Sequence, residues 1–102
     1  MKKQKILDEI KNRVTAINPE IKIWLYGSQA RANKKLNSDW DILLLTPKKL
    51  HYKERWELTD TIYDLGIEFG EVFSVFVYSK DEWENIRMTA FHKNVEKDKI
   101  PV

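Results

Sequence analysis

The sequence predicts an α/β fold, a single domain in which helices pack on one sheet. The main observation is an alternation, in which segments with apolar residues at helical spacing follow segments rich in β-branched and aromatic residues. Glycine or proline stands near the ends of several of these segments and terminates them. A chain of 102 residues is long enough for one modest core and too short for two.

Four elements are predicted in the first half of the chain: a helix at 3–17, a strand at 21–26, a short helix at 28–32 and a strand at 39–45. Asn18-Pro19 ends the first helix, because the residue before a proline disfavours helical geometry. Gly27 ends the first strand, and Pro47 follows the second. A polar loop at 33–38 separates the short helix from the second strand.

The second half of the chain predicts three elements: a helix at 51–65, a strand at 72–78 and a final helix after 79. Trp56 occupies a position expected to contact the core. The final helix begins with Ser79-Lys80-Asp81-Glu82, which has the pattern of a capping box. Residues 93–102 are charged and end in Pro-Val, so we interpret them as a loosely held tail after a domain spanning residues 1–92.

The composition excludes several classes of protein. No apolar run approaches the roughly 20 residues that a membrane span needs. The basic N-terminus precedes an amphipathic helix rather than an apolar segment, so we expect no signal peptide and a cytoplasmic protein. The absence of cysteine excludes disulfides and thiolate metal sites. A net charge of +2 is too small to indicate nucleic-acid binding by itself.

Gly27-Ser28 is the first candidate site. A strand that runs into this pair and then a helix directs free backbone N–H groups outward, where they and the helix dipole favour a phosphate. Glycine lets a phosphate approach the backbone closely, and the Ser28 hydroxyl can donate one more hydrogen bond. Gly-Ser after a strand is also an ordinary turn, so this pattern alone leaves both interpretations open.

Asp39 and Asp41 form a more specific pattern. Residues two apart on a strand face the same side, roughly 6.6 Å apart along the chain. Two carboxylates at this spacing can converge on one hard cation or a close pair, with phosphate oxygens as the remaining ligands. Acids in an otherwise apolar strand cost stability unless they are solvated or paired with a cation. The alternative is that Asp39 caps a turn and Asp41 lies at a wet strand end.

The two patterns combine into one signature: Tyr26-Gly27-Ser28, a spacer at 29–38, and Asp39-Trp40-Asp41-Ile42. The sequence resembles the nucleotidyltransferase superfamily that includes DNA polymerase β, and most closely its minimal nucleotidyltransferase branch. The longer motif of that branch, Gly-Ser-x-Ala-Arg and Ser-Asp-x-Asp-Leu, is matched with isoleucine in the leucine position. The resemblance implies a polymerase β palm-like fold with a small mixed β-sheet packed with helices.

The resemblance also implies a reaction. Gly27-Ser28 would bind the triphosphate of a nucleotide, and Asp39 and Asp41 would coordinate Mg²⁺ ions that bridge its phosphates. An acceptor hydroxyl would attack the α-phosphate while pyrophosphate leaves. The nucleotide implied is ATP, so the transferred group would be AMP.

Basic residues near the motif have two interpretations each. Arg31 lies beside the predicted phosphate site and either contacts phosphate or forms a surface ion pair. Lys34 and Lys35 in the spacer either attract the nucleotide or are solvated loop charges.

The full active site of this family has a third carboxylate on a later strand, which completes the metal site and helps to deprotonate the acceptor. The matching position here is Ser74, and serine is no metal-binding anion at neutral pH. Glu71 would face the other side of a regular strand unless a bulge intervened. Glu68 has the right parity but precedes the strand. The third acid, and with it full catalytic competence, stays an open question.

Three functions are compatible with this sequence. The first is an enzyme that transfers AMP to a hydroxyl of a protein or small molecule. The second is a catalytically impaired module that acts through a partner chain, since many minimal members resemble one half of a pair with an all-helical HEPN protein, some of them toxin–antitoxin systems. The third, a nucleic-acid-modifying enzyme, would need a primer-binding domain or a strong basic face, and the sequence has neither.

Overall fold

The computed structural model describes residues 2–31 and 39–102. Nine elements follow one another in these residues: α1 (Lys2–Ile17), β1 (Lys22–Tyr26), a 3₁₀ turn (Gly27–Gln29), β2 (Trp40–Thr46), α2 (Tyr52–Phe69), β3 (Phe73–Ser79), α3 (Lys80–Asn85), α4 (Ala90–Asp98) and β4 (Ile100–Pro101). The predicted alternation of helices and strands, and with it the α/β class, is confirmed.

The four strands form one mixed sheet in the order β3-β2-β1-β4. β2 is parallel to β3 and antiparallel to β1, and β4 pairs antiparallel with β1. Parallel neighbours need a crossover connection, and α2 supplies it between β2 and β3. The small mixed sheet packed with helices is therefore also confirmed.

The sheet has two differently covered faces. One face packs against α1 and α2 in the larger core, through residues such as Leu25, Ile42 and Leu44. The second face packs against α3 and α4 in a smaller cluster that includes Leu43 and Val95. Because side chains alternate along a strand, the odd-numbered residues of β2 belong to this second face.

The end of the chain differs from the expected loose tail. Residues 90–98 form α4, which Thr89 caps and which buries Val95. Ile100–Pro101 then pairs with β1, and the Val102 N–H donates to the Ile23 carbonyl at 3.1 Å. An amphipathic helix and an unpaired edge of β1 together hold this segment on the domain.

Three smaller predictions also need correction. The final helix is two helices, because the chain breaks between Asn85 and Ala90. The predicted helix at 28–32 is a 3₁₀ turn at Gly27–Gln29, and residues 32–38 lie outside the described part of the chain. Trp56 is 70% exposed and does not contact the core, because it lies on the side of α2 that faces away from the sheet.

None of the helices in the described residues combines the length and apolar character needed to cross a membrane.

The capping box at the start of α3 is present as predicted. The Glu82 N–H donates to the Ser79 hydroxyl at 3.1 Å, and the Ser79 N–H donates to the Glu82 carboxylate at 2.9 Å. This backbone hydrogen bond lowers the pKa of Glu82, with a further contribution from the Ser79 side chain.

We expect Ser79→Ala to lower the free energy of unfolding by about 1 kcal/mol, because the Glu82 N–H loses its acceptor. Since the folded pKa of Glu82 is depressed, its contribution is present above the unfolded pKa and is lost as the pH falls through the folded pKa. Urea unfolding at pH 7 and pH 3 measures both effects. Glu84→Gln, an exposed change on the same helix, is the control. Equal stability of Ser79→Ala and the wild type at pH 7 would contradict the assignment.

Candidate nucleotide and metal site

Gly27 lies where β1 turns towards the rest of the site. Its φ of 72° is in the left-handed region, which side chains other than glycine's rarely adopt. A Cβ atom built on Gly27 would collide with the Asp41 carboxylate oxygen Oδ2. The carboxylate therefore lies directly against the backbone of the turn. Glycine is required here both by the backbone conformation and by this close approach.

The turn that follows Gly27 is short and tight. Gly27–Gln29 is a 3₁₀ turn in which the Ala30 N–H donates to the Gly27 carbonyl at 3.1 Å. Ser28 is half-buried within it, and no side chain caps its start. Backbone N–H groups at the start of such a turn have no partner within it and can bind an anion.

Asp41 lies at the centre of the sheet end. In register it is opposite Tyr26 of β1 on one side and opposite Ser74 of β3 on the other. It is half-buried, whereas Asp39, immediately before β2, is exposed. Trp40 and Ile42, the neighbours of Asp41 in the chain, face the opposite side of the sheet and are buried in the larger core.

The electrostatics of Asp41 favour a bound cation. Burial, and then the charge of Asp39, raise the pKa of Asp41, and Arg31 opposes this effect only in part. Two acids held together in this way repel each other unless a cation lies between them. Carboxylate oxygens suit Mg²⁺, which commonly takes one or two of them with phosphate oxygens completing its shell. The residues present therefore fit magnesium bound together with a phosphorylated ligand.

The described residues contain no group of three or more His, Cys, Asp or Glu side chains arranged to hold a metal ion. Asp39 and Asp41 are the two carboxylates that this part of the chain supplies to the site. Any metal bound here must therefore take its other ligands from the nucleotide, from water or from outside the described residues.

A cleft of about 510 Å³ opens beside Gly27. Its first wall includes Tyr26 and Arg31, and its second wall is the α4 side, which includes Phe91 and Lys97. The Tyr26 ring makes an edge-to-face contact with Phe91, with the ring centroids 6.1 Å apart. Burial, and then the charges of Asp41 and Tyr78, raise the pKa of the Tyr26 phenol, which stays neutral at physiological pH.

Arg31 is engaged within this cleft. Its Nη1 atom lies 2.6 Å from Oδ2 of Asp98, at the end of α4. This ion pair crosses the cleft and joins residues that are distant in the sequence. Lys34 and Lys35 lie outside the described residues.

The three candidate positions for a further acid are in different places. Ser74 is half-buried and directly opposite Asp41 on the adjacent parallel strand. Glu71 pairs with Lys2 at 3.0 Å, and Glu68 on α2 pairs with Arg13 at 2.6 Å. The structure brings Ser74 to the site and directs the two glutamates towards α1.

The α4 wall and Tyr26 are the parts of the site that sequence reasoning missed. The sequence predicts a loosely held tail at 93–102 and therefore no cleft wall there. The signal that could have found it is local: Thr89 precedes Phe91 and Val95, a capping residue followed by apolar residues one turn apart.

The chain is similar to known proteins over most of its length. A family model described as "Polymerase beta, Nucleotidyltransferase" matches residues 4–97. No curated protein matches the chain.

Three solved structures are similar in fold. One is the toxin–antitoxin MntA–HpeT, in a mutant form with two aspartates, separated by a single residue, changed to glutamate. It has 18% identity and a TM-score of 0.54, and the match covers 89% of this chain and 70% of that chain. A toxin–antitoxin with AMP-PNP has 20% identity, a TM-score of 0.55 and the same coverage. A tri-AMPylated Shewanella oneidensis HEPN toxin with its MNT antitoxin has 18% identity and a TM-score of 0.51, covering 99% and 71% of the two chains.

Proposed function

This chain belongs to the polymerase β nucleotidyltransferase family, and on that premise we propose that it binds Mg²⁺–ATP and transfers AMP to a hydroxyl of a protein or small molecule. One observation carries the proposal: the Asp41 carboxylate lies against the Gly27 backbone, so that a cation ligand and a phosphate-binding turn meet at one point. The reaction consumes ATP, and we place it in the cytoplasm.

Each residue of the site has a proposed role. The backbone N–H groups after Gly27 and the Ser28 hydroxyl donate to the triphosphate. Asp39 and Asp41 hold magnesium, which neutralises charge on the phosphates when it is bound. Arg31 can exchange Asp98 for a phosphate oxygen, because both are anions within reach of the same cleft.

The transfer step itself conserves atoms. The acceptor oxygen forms a bond to the α-phosphorus, the bond to the β-phosphate oxygen breaks, and pyrophosphate leaves with that electron pair. The acceptor proton must go to a base. Ser74 stands where a carboxylate would accept it, and its neutral hydroxyl cannot do so at physiological pH. We therefore expect slow transfer, with water as the proton acceptor.

The position of Ser74 favours a second candidate function, a catalytically impaired module that acts by binding a HEPN-type protein. The three similar structures are toxin–antitoxin assemblies, and one is described with a HEPN toxin that carries AMP groups. A HEPN-type protein is thus the proposed partner under both functions, as acceptor in the first and as bound target in the second.

One experiment separates the two functions. The protein is incubated with α-labelled ATP and Mg²⁺, alone and with a HEPN protein encoded beside it. Label on the HEPN protein, dependent on Mg²⁺, supports transfer. A stable complex that neither gains label nor releases pyrophosphate supports the second function.

We expect Asp39→Asn and Asp41→Asn each to weaken Mg²⁺-dependent ATP binding by at least about tenfold, because each removes an anionic metal ligand. Titration calorimetry with and without Mg²⁺ measures the loss. Asp8→Asn on the exposed side of α1 is the matched control. Wild-type Mg²⁺–ATP affinity in both site variants would refute the assignment of these aspartates.

A further inference from the structure

The outward side of α2 carries an unusual row of apolar residues. Tyr52, Trp56, Tyr63 and Ile67 are 68%, 70%, 48% and 81% exposed. Their spacing of four, seven and four residues places them in one stripe along the helix. A surface helix normally presents polar side chains opposite its buried face, so several large apolar side chains exposed on one side of a helix indicate an interaction site.

This stripe continues towards β3. A cleft of about 260 Å³ lies between α2 and β3, lined by Arg55 and Thr59 on the helix side and by residues 75–78 of the strand. Thr59 adjoins the stripe, since its hydroxyl donates to the Trp56 carbonyl at 3.0 Å. Phe76, one of these lining residues, is 40% exposed, and Val72, just before β3, is 63% exposed. We call six apolar residues the docking surface: Tyr52, Trp56, Tyr63 and Ile67 of α2, Val72 just before β3, and Phe76 of β3.

The docking surface leads to the candidate site. Val72, Ser74 and Phe76 alternate with the residues of β3 that pack in the larger core, so they share the second face of the sheet, opposite the face that α2 covers. The cleft at the β3 edge, where α2 meets residues 75–78, connects the α2 stripe to this face. Ser74, between the two exposed apolar side chains, is opposite Asp41. The Gly27 turn lies on the other side of Asp41, after β1. When a nucleotide is bound at that turn, the β3 side of Asp41 stays accessible to the molecule that supplies the hydroxyl.

The open edge of β3 also gives a partner access to the candidate site. β3 is the outermost strand of the sheet formed by the described residues, so its outer backbone groups have no strand partner there. A bound protein can therefore approach Ser74 and Asp41 along β3 without displacing an element of the fold.

The charge around the stripe indicates what kind of partner it fits. Glu57, Asp60, Asp64 and Glu68 form a second row on α2, on the side of the stripe away from Thr59. All four are exposed, and only Glu68 forms an ion pair within the described residues. Two copies of this chain packed antiparallel through the stripe would bring their acidic rows together. A basic rim on a different protein would complement them.

We propose that the docking surface binds the acceptor protein, through an apolar patch on that protein bordered by lysine or arginine side chains. The proposal rests on the proposed function for the identity of its occupant, a HEPN-type protein. The surface orients the acceptor so that its hydroxyl reaches Asp39 and Asp41 from the β3 side.

The test measures binding of a HEPN protein encoded beside this chain, by titration calorimetry. We expect Trp56→Glu to weaken binding by at least roughly thirtyfold, because a large aromatic at the centre of an interface contributes most of its binding energy. Met88→Glu is the matched control, since Met88 is 77% exposed and lies outside the docking surface. Mg²⁺–ATP affinity, unchanged in both variants, shows that they are folded.

A second pair of variants tests the acidic row. Asp60→Lys combined with Asp64→Lys is expected to weaken binding and to reduce its dependence on salt concentration, because the attraction to a basic rim is lost. Glu20→Lys, an exposed reversal in the turn after α1, should change neither.

Three results would overturn the inference. Wild-type binding by Trp56→Glu, or no binding by the wild type, refutes the docking surface. So does a dimer of this chain, seen by sedimentation, that Trp56→Glu dissociates while HEPN binding is unchanged. Asp41→Asn separates this inference from the proposed function, because it should dock normally without transferring AMP. Docking that depends on Trp56, with no transfer by the wild type, would refute the transfer function alone.

Discussion

The Ser74→Asp variant is expected to transfer AMP about 10²–10⁴-fold faster than the wild-type protein, the range that a positioned base contributes. Position 74 is in register with Asp41 on the adjacent parallel strand, so a carboxylate there lies beside the two existing acids. It would accept the acceptor proton and add an anionic ligand for Mg²⁺. We therefore also expect tighter Mg²⁺ binding, measured by calorimetry in the presence of ATP.

The added charge has a cost that makes this prediction specific. A third carboxylate beside Asp39 and Asp41 increases repulsion when no metal is bound. We expect the melting temperature of Ser74→Asp to fall below that of the wild type without Mg²⁺ and to recover when Mg²⁺ and ATP are added.

Ser74→Asn is the control for Ser74→Asp, because asparagine has nearly the same size as aspartate but neither accepts a proton nor carries charge. It should not raise the rate. The contrary result would be fast transfer by the wild type that Glu71→Gln or Glu68→Gln abolishes. Such a result would show that a neighbouring glutamate moves from its basic partner on α1 to supply the acid.

The sequence predicts the central part of this fold because the signals there are local. Period-two alternation in β2 places Ile42 and Leu44 in the core and Asp41 on the other face, and the structure agrees. The capping residues of α3 are also encoded within four neighbouring positions. The placement of position 74 opposite Asp41 follows from the family resemblance together with strand parity.

The parts that could not be predicted depend on distant contacts. β4 has two residues, too few for a periodic pattern, and it forms because β1 leaves an edge open. Arg31 and Asp98 are 67 residues apart in the chain, so neither reveals the other in the sequence. Trp56 misled the prediction because periodicity records that a residue is apolar and not whether its partner belongs to the same chain.

Gly27→Val is expected to abolish Mg²⁺–ATP binding while the protein remains folded. Two effects combine at this position. A side chain with φ near 72° is strained by about 1–2 kcal/mol, and its Cβ would displace the Asp41 carboxylate, a movable group at the end of a side chain. The first effect lowers stability modestly, whereas the second removes the metal ligand from its place beside the phosphate-binding turn.

Gly70 offers a matched control, because its φ is also positive, at 67°, and a Cβ there meets nothing within 4 Å. Gly27→Ala and Gly70→Ala should therefore lose similar free energy of unfolding, measured with urea, since both carry the same backbone strain. Only Gly27→Ala should weaken Mg²⁺–ATP binding, measured by calorimetry, and Gly27→Val should weaken it further. If Gly27→Ala loses stability like Gly70→Ala yet binds Mg²⁺–ATP as the wild type does, Gly27 is a structural turn and the phosphate must bind elsewhere.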